Sequence, residues 1–359
     1  MKYLNTIITG TGCYIPEQKI ENKDYFKSTF FEKDQTLIKR SGEDIVRKFR
    51  DITGILERRW VTKDQTTSEI AAFAAEQAIK TGNIDRETID HIIVANNFGD
   101  AVKGTIQTDL LPSIAARVKN KLGIENPECV AYDIVFGCPG WIQGLIQADA
   151  FIKSGLAKRC LVIGAETLSR VVDVYDRDTM IFSDGAGAAI VEGVEADEKS
   201  GVLSSATVTH TKEEAFYLYF GQSNKPDSDP NIRYMKMLGR KVYEYSIVNV
   251  PKAIKAAMDK SGLPVDQLKK ILLHQANEKM DEAIVQLFFK SYGIKPEISE
   301  VMPMSIRELG NSSVATVPTL YDMILKGKLK NHSIHKGDII VFASVGAGMS
   351  INAVVYRQS

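Results

Sequence analysis

A repeat inside the chain constrains its fold more than any other feature. Residues 74–96 read AAEQAIKTGNIDRETIDHIIVAN, and residues 256–277 read AAMDKSGLPVDQLKKILLHQAN. Each passes from a helical pattern through a Gly-containing turn and a short acidic-polar segment into a buried strand, Ile92 to Ala95 in one and Ile271 to Leu273 in the other. A second match follows in the same order. Gly137-Cys138 precedes a helix to about Leu156 and a strand at Cys160 to Gly164; Gly310-Asn311 precedes a helix to about Leu329 and a strand at Asp338 to Ala343. Strands alternating with helices at this spacing predict βαβ units, parallel sheets and an α/β fold of two similar halves. Cys138 and Asn311 then occupy corresponding turns.

At 359 residues, 44% of them hydrophobic, the chain is long enough for two domains or one large pseudo-duplicated unit with a substantial core. Its 45 basic and 45 acidic residues cancel, so no overall field points to nucleic acid or an anionic membrane. Four scattered Cys and no secretory leader predict a reducing, cytoplasmic setting. The opening Met1 to Gly10 reads as a first strand, and no segment approaches the roughly 18 apolar residues of a membrane span. Residues 17–50, charged and rich in helix formers, read as an insertion packed on the first half. The stretch Gly221-Gln-Ser-Asn-Lys-Pro-Asp-Ser-Asp-Pro230 reads as a surface loop between the halves. No His/Cys/Asp cluster has metal-ligand spacing.

Cys138 stands in Tyr132-Asp-Ile-Val-Phe-Gly-Cys-Pro-Gly-Trp141, where an apolar run ends at a Gly. Pro139 suits a first helical turn, where its missing N–H costs nothing. The unpaired N–H groups of such a turn carry a partial positive charge, about half an elementary unit for a whole helix, and favour thiolate over thiol, lowering the pKa from about 8.5. Cys13, Cys129 and Cys160 lie in or beside apolar runs and read as small buried hydrophobes. His274 falls where its strand ends, in Leu272-Leu-His-Gln-Ala-Asn277, the end at which parallel α/β sheets bind ligands. It could equally be a structural His. Asn311, in Glu308-Leu-Gly-Asn-Ser-Ser313, could be a helix cap. Together one thiol, one imidazole and one amide, each at a turn beside a buried strand, suit thioester chemistry.

With these residues in place the chain resembles the β-ketoacyl-acyl carrier protein synthase III group of condensing enzymes, in the thiolase superfamily. The resemblance runs through Gly10-Thr-Gly-Cys-Tyr-Ile-Pro16, Thr53-Gly-Ile-Leu-Glu-Arg-Arg59, the Cys138 turn, Ser183-Asp-Gly-Ala-Gly-Ala188, His274-Gln-Ala-Asn277, Gly310-Asn-Ser-Ser313 and Ser344-Val-Gly-Ala-Gly-Met349. It implies a thiolase-type five-layer α/β/α/β/α fold of two pseudo-repeated halves, 1–185 with the nucleophile and 186–359 with the His and Asn, and a homodimer. It also implies a ping-pong reaction without bound cofactor or metal, using acyl-CoA or acyl carrier protein thioesters. Cys138 would accept an acyl group. A malonyl-type thioester on carrier protein would then lose CO₂ while His274 and Asn311 hydrogen-bond the forming enolate, each such donor being worth about 3 to 4 kcal/mol. Backbone N–H groups at Cys138 and in the Gly346 to Gly348 loop would form the oxyanion hole.

Some positions depart from the family pattern. The Trp and Arg that bracket CoA in many members are met here by Lys48 and Ile52, so a carrier protein is an alternative acyl donor. Lys279, with Arg233, Lys236, Arg240 and Lys241, is expected to form a basic patch for an acidic carrier protein or pantetheine. Leu111 matches a position that closes the partner's acyl tunnel across the dimer, and Leu there leaves room for a longer or branched chain. Pro139 and Trp141 beside the thiol are expected to reshape the acyl pocket, pointing to a specialised pathway, such as dialkylresorcinol synthesis, as readily as to fatty-acid initiation. The competing readings are acyl transfer without decarboxylation, with His274 as general base, and a non-catalytic subunit that shapes a partner's tunnel.

Overall fold

The computed structural model describes residues 2–101, 104, 105 and 107–359. In the first half the chain forms β1 (Tyr3–Tyr14), α1 (Gly42–Thr53), α2 (Thr67–Gly82), β2 (His91–Ala95), α3 (Ile114–Lys121), β3 (Val130–Ile134), α4 (Gly140–Lys153), β4 (Arg159–Thr167) and β5 (Asp184–Ala196). The second half forms β6 (Gly201–Thr209), β7 (Leu218–Gly221), β8 (Tyr234–Met237), α5 (Gly239–Ser261), β9 (Leu268–Leu273), α6 (Glu278–Lys290), α7 (Thr316–Leu325), β10 (Ile339–Gly346) and β11 (Ser350–Arg357).

One mixed sheet runs β1-β5-β4-β2-β3 and the other β6-β11-β10-β9. In both, the first two pairings are antiparallel and the next is parallel. The echo in the sequence is therefore a repeat in three dimensions, with α2 matching α5, β2 matching β9, α4 matching α7 and β4 matching β10. The central helices end earlier than expected, at Lys153 and Leu325.

Strand residues explain the layering by their period of two. On β4, Cys160 and Val162 face the α4/α7 layer between the sheets, while Leu161, Ile163 and Ala165 face α2 and α3 outside. On β10, Ile340 and Phe342 point inward, and Ile339, Val341 and Ala343 pack under α5 and α6. Strands buried on both faces must read as continuous apolar runs, as these do. The result is the five-layer α/β/α/β/α stack.

Three expectations change. The division between halves falls after Ala196 rather than at 185, because β5 completes the first sheet by pairing with β1 and β4. The segment 17–50 bridges both halves. Ile45 and Val46 of α1 pack with Phe30 and Met180, while Gly54 at its end abuts Glu278 of α6. The 221–230 stretch joins β7 to β8 inside the second half, and its Ser223 and Asn224 are buried against Asp173 by bonds of 3.0 and 2.7 Å. Among the described residues no helix is long and apolar enough to cross a membrane.

Candidate active site

The nucleophile turn is built by backbone constraint. Gly137 adopts φ +65°, a left-handed conformation that side chains disfavour, and Pro139 sits one residue ahead of the first helical residue of α4. Cys138 is thereby held at the helix N-terminus, half-buried, with its own backbone N–H turned toward the sulfur. The facing loop comes from the second half. A methyl group on Gly346 would lie 2.4 Å from the Cys138 nitrogen, and one on Gly137 would lie 2.6 Å from the Ala347 nitrogen. Only glycine lets these two turns interlock.

Cys138, His274, Asn311 and Gly346 line one apolar cavity of about 260 Å³, together with Asn97, Phe98, Ser313, Phe220 and Met349. His274 leaves β9 with its N–H on the Ala343 carbonyl at 2.8 Å, and its buried Nδ1 has no hydrogen-bond partner among the described residues. The other polar members of its motif hold the frame: Gln275 pins the Pro303 carbonyl at 2.8 Å and the Ser305 N–H at 2.9 Å, while Asn277 caps α6. Asn311 is welded to the first half, its N–H donating to the Ile181 carbonyl and its carbonyl accepting from Ser183, both at 2.8 Å. Its Oδ1 accepts the Ser313 N–H at 2.8 Å, so the side-chain amide NH₂ is the group left to meet a substrate.

Burial governs the electrostatics. It holds the His274 imidazole down at about 4, with a backbone group of Ser313 pulling weakly the other way, so the ring is neutral at pH 7. It pushes the Cys138 thiol up to about 11, against a hydrogen bond from Ser313 Oγ at 3.4 Å. The loss of water around the sulfur outweighs the hydrogen bonds from Ser313 and from the Cys138 N–H, so the thiol stands above its ordinary value where the sequence predicts it below.

Sequence reasoning missed Asn97, Ser313, Glu166 and the Phe98–Phe220 stack. Glu166 is the penultimate residue of β4, follows an apolar run and is 1% exposed; Asn97 lies two residues past β2, as Gln275 does past β9. A carboxylate ending an apolar run was the available signal.

Other expectations are redistributed. Trp141 does not line the cavity. It is 1% exposed, packs edge-on against Phe342 and donates its indole N–H to the Val162 carbonyl at 3.2 Å. Gly348 is absent from the cavity wall and instead takes φ +72° in the turn behind Gly346. Leu111 is 86% exposed and outside its own chain's cavity. The expected basic patch is split. Lys236 is buried between Asp173 and Asp176, at 2.5 and 3.1 Å, and Arg233 borders a separate recess with Arg170 and Tyr234. Lys279 is exposed on α6, and Arg240 borders a larger cavity of about 710 Å³. That cavity adjoins the first, sharing Ile181, Met237, Val242, Ala276 and Met280, and Arg40, Lys48 and Arg177 also line it.

This geometry has relatives. Residues 132–211 match the model of 3-Oxoacyl-[acyl-carrier-protein (ACP)] synthase III, and residues 258–358 match that of its C-terminal region. The β-ketoacyl-[acyl-carrier-protein] synthase III of Fusobacterium nucleatum is 34% identical over 98% of both chains. The crystal structure of 3-oxoacyl-[acyl-carrier-protein] synthase III from Aquifex aeolicus superposes with a TM-score of 0.78 at 31% identity, covering 98% of this chain and 100% of that one. A priming β-ketosynthase from the R1128 polyketide pathway superposes at 0.79 and 25% identity, covering 99% of this chain and 96% of that one. With a Cys at a helix start facing a His and an Asn from the second half of a duplicated fold, and with relatives matched along nearly its whole length, this chain belongs to the β-ketoacyl-acyl carrier protein synthase III family of acyltransferases.

Proposed function

We propose that Cys138 carries the acyl group and that His274 and Asn311 stabilise the enolate of a decarboxylating malonyl-type thioester. The observation that carries this reading is the Asn311 side chain, whose Oδ1 is tied to the Ser313 N–H so that its NH₂ remains for the cavity that Cys138 and His274 also line.

In the first half-reaction Cys138 sulfur attacks the acyl thioester carbon, the bond to the departing thiol breaks, and the Cys138 proton ends on that thiol. N–H groups at Cys138 and in the Gly346 to Gly348 loop face the oxyanion of this step. In the second, the C–C bond to the malonyl carboxylate breaks, releasing CO₂ and leaving an enolate. The neutral His274 ring and the Asn311 NH₂ donate to its oxygen. The enolate carbon bonds to the acyl carbon, the thioester bond between that carbon and Cys138 Sγ breaks, and the released thiolate takes a proton from solvent. A ring held down at about 4 is a poor general base at pH 7, which favours condensation over acyl transfer without decarboxylation.

The adjoining cavity suits the arm and phosphates of a CoA or carrier-protein thioester, with Arg40, Lys48, Arg177 and Arg240 as its cations. Lys279 lies beside its Asn277 and Met280 wall and suits an acidic carrier protein. A homodimer is supported by the exposed Val130 on the edge strand β3, by Val135 just past it, and by the exposed Leu110 and Leu111 ahead of α3. Incubation with an acyl-CoA or acyl carrier protein, followed by malonyl carrier protein, tests the reading. Intact mass should give acyl-Cys138, then CO₂ release and a β-ketoacyl product. Transfer without CO₂ release would overturn it.

A further inference from the structure

Behind the nucleophile lies a polar relay that the reaction as derived above does not use. Among the described residues Glu166 is a buried carboxyl without a cationic partner: Asn97 Nδ2 donates to its Oε1, and the charged group acting on it is the like-charged Asp184. The same Asn97 amide grips both halves of the site. Its Oδ1 accepts the Gly137 N–H at 3.0 Å, and its Nδ2 reaches Ser313 Oγ at 3.5 Å. Ser313 then donates to Cys138 Sγ at 3.4 Å and holds Asn311 Oδ1 through its backbone N–H at 2.8 Å. A carboxyl buried in this way costs stability relative to an apolar residue of similar volume, so its presence directly behind Asn97 of the cavity wall points to function.

We propose that Asn97 and Glu166 are positioning residues: Glu166 anchors the Asn97 amide, and that amide sets the Gly137-Cys138 turn and the Ser313 hydroxyl against the Cys138 sulfur. The inference rests on Cys138 being the acyl acceptor. It gives one side chain control over groups from two halves that no local segment could align. Burial, with Asp184 adding to it, raises the Glu166 carboxyl to about 8, so at pH 7 it is mainly neutral and places no full negative charge near the thiol. Asp184 on β5 and Cys138 itself are the titratable groups coupled to it, while Asn97 and Ser313 are neutral.

The test compares wild-type protein with N97A, E166A and E166Q. Cys138 alkylation by iodoacetamide is followed from pH 6 to 10, together with kcat and KM for acylation by acyl thioester. N97A and E166A should lose about 10-fold or more in kcat, with KM within about 2-fold, because a displaced nucleophile costs rate rather than binding. E166Q, which keeps an oxygen for Asn97, should restore most of that loss. It should also remove the inflection near pH 8 that Glu166 ionisation imposes on the wild-type alkylation curve. If N97A and E166A leave kcat and alkylation unchanged, or E166Q is as impaired as E166A, the relay is overturned. Should E166A fail to fold, N97A and E166Q still decide. Failure of the functional reading is a separate result: wild-type protein alkylated at Cys138 would keep its activity.

Discussion

Gly346 and Cys138 stand backbone to backbone, so close that a methyl group on the glycine would lie 2.4 Å from the Cys138 nitrogen and 2.7 Å from Pro139 Cδ. The φ of Gly346 is −160°, which any residue adopts, so the obstacle to alanine is space rather than strain. Gly346→Ala must push the two turns apart and displace the N–H groups proposed to form the oxyanion hole. Acyl-Cys138 formation should fall by about 100-fold or more, with a cooperative melt retained. An intact-mass time course checks it, and wild-type acylation would refute the assignment.

Asn311→Asp separates the two jobs of that side chain. Aspartate keeps an oxygen for the Ser313 N–H and removes the NH₂ proposed to meet the enolate. Acylation of Cys138 should persist within a few-fold, while condensation should drop by about 100- to 1,000-fold. Product formation from preformed acyl-enzyme is the measurement, and an unimpaired condensation step would exclude Asn311 as an enolate donor.

The buried His274 ring, held at about 4, predicts an unusual pH response. Decarboxylation should show no acid limb near 6.5, the ordinary imidazole value, because the donor form persists well below it. For stability the sign is set by the depressed folded value. The unfolded chain binds the proton first, so the contribution is complete above about 6.5 and is lost as pH falls through about 4. The urea midpoint of wild-type protein should therefore drop more between pH 7 and pH 5 than that of His274→Gln. Equal drops would contradict the burial of an uncharged ring.

The repeat, the strands and the residue types of the site were legible because each is written locally: periods of 3.6 and 2, a Gly before each turn, and a polar residue where a buried strand stops. What was illegible arises between halves. The thiol's local helix-end environment reads as favouring thiolate, yet burial under the facing second-half loop raises the thiol in spite of the Ser313 hydrogen bond. Trp141 adjoins the nucleophile in sequence, but as the second residue of α4 it turns toward β4 and Phe342. Lys236 reads as a surface cation until Asp173 and Asp176 close around it. The β5 strand could not be assigned to the first half without its partners β1 and β4.

Trp141 is accordingly a stability residue. It fills the layer between the sheets, so Trp141→Ala should destabilise the fold by about 3 to 5 kcal/mol, and Trp141→Phe by less. The acyl-length profile of Trp141→Phe should match wild type. Urea unfolding and a panel of acyl donors read the two effects independently, and a shifted profile in well-folded Trp141→Phe would return the residue to the pocket.

Chain length should instead answer to Phe98 and Phe220, which stack with ring centroids 5.3 Å apart and both line the cavity. The stack joins the segment after β2 to the β7–β8 hairpin and forms part of the cavity wall. Removing either ring opens that wall. Phe98→Ala or Phe220→Ala should raise the kcat/KM ratio of a donor two carbons longer to the wild-type favourite by about 10-fold or more, the scale on which pockets discriminate methylenes. Leu111→Phe provides the contrast. Leu111 lies outside its own cavity, so the expected shortening of acyl preference depends on a second copy placing it at the partner's tunnel. The shortening should vanish at dilutions where the protein sediments as a monomer. If it persists there, Leu111 acts within its own chain.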